Sequence, residues 1–173
     1  MYATGLLVAA REGSTRVAQV LVDNRADVYM ATNHGHTSMH WAAIRGRVDV
    51  LRILLAAAPA AVNAMAHRGE TPLFLAAWIG QEHSIRLLLA SGADEQLGTV
   101  DGMLPVDAAL HRGHPHCAQM IVQETERRAA LEVERINRLI AVLMGLDPRL
   151  GSESRLRSLD TDLLLNILRN YTI

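Results

Sequence analysis

The chain has 173 residues, half of them apolar, and a formal net charge of −1 with acidic and basic residues intermixed. That apolar content sustains one packed domain and excludes global disorder. The balanced charge excludes the long-range field of a nucleic-acid binder or a membrane-surface protein. Aromatic residues make up only 3% of the chain, so a core must be built from Ala, Leu, Ile and Val. The single cysteine, Cys117, excludes an internal disulfide framework and suits a reducing compartment. The apolar run from Leu6 to Ala10 is too short for a signal peptide, and the longest apolar run, Ile53 to Val62, is broken by Pro59. A soluble protein of the cytoplasm or nucleus, with no membrane partner, is expected.

The first predicted helix, "LLVAAREG", closes at Gly13 and is followed by a second apolar-periodic segment, "VAQVLV", and the turn "NRADV". Gly35 leads "GHTSMHWAA", which closes at Gly46, with "VDVLRILL" behind it. The connection "AAAPAAVN" then carries one extra residue and lacks the glycine that ends the next pair at Gly92. Gly69 opens "GETPLFLAAWIG". There the Thr71 hydroxyl can cap the helix, Pro72 suits the first helical position, and Gly80 fits the left-handed residue past its end. "HSIRLLLA" follows, with Leu87, Leu88 and Leu89 on its apolar face. The fourth copy is "GMLPVDAAL" closing at Gly113, then "CAQMIV". Gly13, Gly46, Gly80 and Gly113 stand 33, 34 and 33 residues apart, and Gly35, Gly69 and Gly102 stand 34 and 33 apart. Such a period marks a stack of helix–turn–helix units that share one continuous core. The alanine pairs Ala42–Ala43 and Ala76–Ala77 let neighbouring units approach closely. Cys117 falls in the slot of Val17, Val50 and Ser84, which suits a small, largely buried residue.

From His116 to Met144 there is neither Gly nor Pro, which predicts one long helix. Ala118, Val122, Thr125, Ala129, Val133, Ile136, Ile140 and Leu143 make an apolar stripe along it, with Glu126, Arg127, Arg128, Glu134, Arg135 and Arg138 off the stripe. Gly145 and Pro148 stop the helix, and a last one, "LDTDLLLNILRN", is expected to fold back over the seam. The seam over 118–143 offers self-association as an alternative, and the final helix pair offers a second protein-binding surface.

These units resemble the ankyrin repeat, and the resemblance covers residues 1–123. It is carried by Gly69-Glu70-Thr71-Pro72-Leu73, Ala76-Ala77, Gly80, Leu88-Leu89 and Gly92-Ala93-Asp94, and by Gly35, Thr37, His40, Ala42-Ala43, Gly46 and Leu54-Leu55. The resemblance implies an all-α solenoid with units at 1–33, 34–67, 68–100 and 101–123, and leaves 124–173 as a helical extension or cap. Departures are Phe74 and Asp107 where the family favours the histidine seen at His40, and Leu104 in place of the capping threonine. The segment Leu159 to Leu168 faintly resembles the opening helix of an F-box. Such a tail implies an alternative role as an adaptor recruiting substrates to a ubiquitin ligase.

The histidines at His34, His36 and His40, and at His111, His114 and His116 beside Cys117, invite a metal reading. The repeat explains most of them without one, so neither metal nor cofactor is expected. No nucleophile elbow, phosphate loop or metalloprotease motif is present, and an enzyme is not expected. Nor are basic and aromatic residues interleaved as in single-strand binders. In ankyrin-like stacks a partner protein is held by hairpin tips and first helices, on the concave face. The resemblance maps the tips to Asn33, His34, His36, Arg68, Glu70, Asp101 and Met103. It maps the helix slots to Arg11-Glu12, Ile44-Arg45, Trp78-Ile79 and His111-Arg112, flanked by Trp41 and Leu75. Ile44, Trp78 and Ile79 are then expected as an apolar centre ringed by Arg45, Arg112, Glu70 and His36.

Overall fold

Gly13, Gly46, Gly80 and Gly113 each follow the first helix of a pair. The computed structural model describes residues 5–143. The pairs are α1 (Gly5–Glu12) with α2 (Thr15–Asp23), α3 (Ser38–Ile44) with α4 (Val48–Ala57), α5 (Pro72–Ile79) with α6 (Glu82–Ala90), and α7 (Pro105–His111) with α8 (Pro115–Leu143). The connection with the extra residue forms a 3₁₀ turn over Pro59–Asn63. Among the described residues there is no β-strand; an isolated antiparallel bridge between Ala31 and Thr37 closes one hairpin. The chain divides into two compact units, Met1–Thr125 and Glu126–Ile173.

In the first unit the first helices pack in the order α1, α3, α5, α7, and the second helices α2, α4, α6 pack beside one another. The alanines set that spacing. Ala9, Ala10, Ala42, Ala43, Ala76, Ala77, Ala108 and Ala109 are all buried. Helix α5 lies against α3, α6 and α7, which is why "PLFLAAWI" is apolar nearly all round and buries Leu73, Phe74, Ala76 and Ala77.

Local chemistry starts each helix in its own way. The Thr71 hydroxyl accepts the Phe74 N–H at 3.1 Å. In the fourth pair, where Leu104 has no capping group, the Asp107 carboxylate accepts the Leu104 N–H at 3.1 Å. In the second pair His40 Nδ1 accepts the Thr37 N–H at 3.1 Å, so its proton sits on Nε2, which donates to the Glu70 carbonyl at 3.0 Å. That last bond stitches one repeat to the next. Backbone does the same at the hairpin tips: the His67 N–H donates to His34 O, and the Val100 N–H to Arg68 O.

Two sequence expectations are corrected at the ends of the stack. Val50, Ser84 and Cys117 are buried in their shared slot, but Val17 is 51% exposed. Nine residues past the closing glycine, Leu55 and Leu89 are buried while Val122 is 43% exposed. The first slot faces the preceding pair and the second faces the following pair. Among the described residues no pair precedes α2, and none follows α8. The stripe expected along α8 therefore departs from the burial: Cys117, Ala118 and Ile121 are buried, whereas Ala129 and Val133 are exposed. The predicted last helix, including Leu159 to Leu168, lies outside the described residues. Among the described residues no helix is long and apolar enough to cross a membrane.

Candidate partner-binding site

The hairpin tips and the last turns of the first helices supply the candidate surface. Asn33, His34, Arg45, Arg68, Asp101, His111 and Arg112 are exposed; His36, Trp41, Ile44, Glu70, Trp78 and Met103 are half-buried; Ile79 is 40% exposed. These residues fall into two groups.

The first group belongs to the second repeat. The His36 ring meets Trp41 edge-on with centroids 6.0 Å apart, and lies 5.6 Å from the ring of His40. Burial holds the His36 imidazole below its ordinary pKa, opposed by the charge of Glu70 and reinforced by His34 and His67. Fully buried His40 is pushed down to about 4, chiefly by desolvation, with its bond to the Glu70 carbonyl acting the other way. Both imidazoles are therefore neutral near pH 7. Among the described residues no cluster of His, Cys, Asp or Glu is placed to hold a metal ion. Burial, with the charge of Glu82, raises the Cys117 thiol, so this cysteine is a packing residue in its protonated form.

The second group is a groove of about 300 Å³ in the first unit. Its floor is Phe74, Leu75, Trp78 and Met103; Arg68, Glu70, Thr99 and Asp101 form its hairpin-side rim. Phe74 and Trp78, four residues apart on α5, stack at 6.1 Å and 18°. Trp78 stacks in turn on His111 of the next repeat at 5.6 Å and 16°. The Arg112 guanidinium carbon lies 5.0 Å from the Trp78 centroid, within cation–π range. Trp78 is thus held by its own neighbours and offers the groove only part of its surface.

Of the residues named from sequence, the groove gathers Arg68, Glu70, Leu75, Trp78, Asp101 and Met103, and Arg112 and His111 join it through the tryptophan. Ile44 and Ile79 do not line it, and Asn33, His34, His36, Trp41 and Arg45 lie apart in the second repeat. Sequence reasoning missed Phe74 and Thr99 as site residues. A signal for Phe74 existed: it occupies the slot that His40 fills one repeat earlier. An aromatic ring there cannot bond the hairpin, but it can stack beneath Trp78. Thr99 carried no comparable signal.

Comparison with known proteins agrees with this architecture. Residues 2–66 match the family described as ankyrin repeats (3 copies), and residues 68–98 match a further ankyrin repeat. The chain is 36% identical over 91 residues to the Neurogenic locus Notch protein of Drosophila melanogaster, covering 53% of this chain and 3% of that protein. It is 32% identical over 102 residues to Protein fem-1 homolog A-like of Mus musculus, covering 59% of this chain and 15% of that protein. To the Putative ankyrin repeat protein YahD of Escherichia coli it is 26% identical over 121 residues, which are 67% of this chain and 60% of that protein. The chain thus spans less than two thirds of the length of each of these relatives. With the glycine period, the stacked helix pairs and these matches in agreement, the chain belongs to the ankyrin-repeat family, whose repeats are protein–protein interaction modules.

Proposed function

We propose that this chain binds a partner protein at the groove over α5 and α7, as a non-enzymatic module acting in the cytoplasm or nucleus. The observation that carries the reading is the groove itself: an apolar floor of Phe74, Leu75, Trp78 and Met103, with charged residues at its rim. Apolar centres rimmed by polar groups are the usual form of a protein interface, and Trp and Arg are the residues most enriched among binding hot spots. The surface extends to Ile44, Arg45 and Ile79 on the first helices, and to Asn33, His34, His36 and Trp41 in the second repeat. Met103→Ala and Trp78→Ala test the reading by affinity purification against the wild type. Trp78→Ala is expected to remove about 2 kcal/mol or more of binding. Because Trp78 also stacks on His111, its melting curve must be recorded alongside. Loss of folding in Trp78→Ala together with unchanged binding in Met103→Ala would refute the proposal. The adaptor alternative rests on the sequence of 159–173 alone. Deleting 147–173 separates the two, because only an adaptor then loses one of two partners. Self-association through 118–143 predicts a concentration-dependent mass in sedimentation.

A further inference from the structure

The groove is electrically polar along its length. At the hairpin end stand the carboxylates of Glu70 and Asp101 with one cation, Arg68. Arg68 and Asp101 are 3.6 Å apart with both side chains 74% exposed, so water screens that pair and holds neither group firmly. One Glu70 oxygen accepts the Arg68 N–H at 3.1 Å, which fixes the carboxylate at the rim. This end carries a surplus negative charge. At the opposite end, past Trp78, Arg112 rests over the indole and makes no ion pair among the described residues. That end carries a surplus positive charge.

Phe74 and Trp78, four apart on α5, share one side of that helix, and Glu70, in the chain just before it, lines the same groove. At about 1.5 Å per helical residue the run from Pro72 to Trp78 is about 9 Å long, which sets the scale of the separation between the two charged ends. An extended chain rises about 3.3 Å per residue and covers that distance in about three residues.

We infer that the groove takes an extended segment of a partner protein bearing a basic residue and an acidic residue about three positions apart, with apolar side chains between them. The basic residue sits at Glu70 and Asp101, the apolar side chains lie over Phe74, Leu75, Trp78 and Met103, and the acidic residue meets Arg112. This rests on the groove being the binding site. Charge complementarity is what separates such a segment from a purely apolar one, which would leave both ends of the groove unmatched.

A random-peptide library displayed on phage and selected on the full chain tests the inference. Sequences that need Trp78 are expected to carry one basic and one acidic residue flanking an apolar pair. Arg112→Glu is expected to weaken the wild-type consensus peptide about fivefold and to move selection towards basic residues at both ends. Asp101→Lys is expected to move it towards acidic residues at both ends. Both variants should still fold, since both side chains are exposed, and melting curves recorded alongside check this. Peptides that need Trp78 but show no charge pattern overturn this inference and leave the groove standing. Peptides indifferent to Trp78→Ala and Met103→Ala overturn the groove reading, and this inference with it.

Discussion

His40 shows how much one side chain does in a repeat. Its ring caps its own helix through Nδ1 and ties the following hairpin through Nε2, and the cap requires the neutral form, because only an unprotonated Nδ1 can accept. Its folded pKa, about 4, is below the ordinary 6.5. The contribution to stability is therefore complete above pH 6.5 and is lost as pH falls from there towards 4. The difference corresponds to about 3 kcal/mol. Denaturant midpoints measured from pH 7.5 to 4 should fall across that window, and the fall should shrink in His40→Phe. Half-buried His36, shifted in the same direction, adds to the trend. Phe74 fills the same slot one repeat later and cannot titrate. The acid sensitivity thus belongs to the second repeat.

At the scale of the element, Gly13, Gly46 and Gly80 each stand between the two helices of a pair, and a side chain of the next pair leans on each of them. Gly80 has φ of 84°, in the left-handed region, and a Cβ placed there would lie 2.7 Å from the His114 ring. Gly80→Ala therefore carries two costs: about 1–2 kcal/mol of backbone strain, and displacement of His114. Only the second can be relieved by His114→Ala. The double variant should then be less destabilised than the sum of the single ones, which a double-mutant cycle by chemical denaturation measures. Gly113 has the same backbone conformation with nothing near its would-be Cβ, so Gly113→Ala should show only the strain. The elements themselves were legible beforehand. Glycine spacing, the Thr71 cap and Pro72 are local signals, and local signals act on the residues beside them. That Asp107 would take over capping at Leu104 was not legible, because it depends on a rotamer reaching back over one turn.

On the scale of the whole molecule, burial and division coincide. Every fully buried apolar residue of the described chain lies at or before Ile121, within the unit that ends at Thr125. We propose the boundary near 123–125 as a real domain limit. Deleting 126–173 should leave a helical stack that still unfolds in one cooperative transition by circular dichroism. A broad, non-cooperative melt would place part of the stack's core in the extension.

The sequence by itself determined the repeat, its period, the helix ends and the small-residue seams, because a stacked architecture copies one local pattern and each copy reports on the others. Tertiary structure alone decided which copies are covered on both sides. Val17 and Val122 share slots with buried residues and are nevertheless exposed, since burial there is supplied by a neighbouring pair and not by the residue's own helix. It also decided that Trp78 stacks between Phe74 and His111, while Ile79, its neighbour in the chain, does not line the groove. Adjacent helix positions point about 100° apart, so neighbours in the chain need not share a face, while residues one turn or one repeat away can.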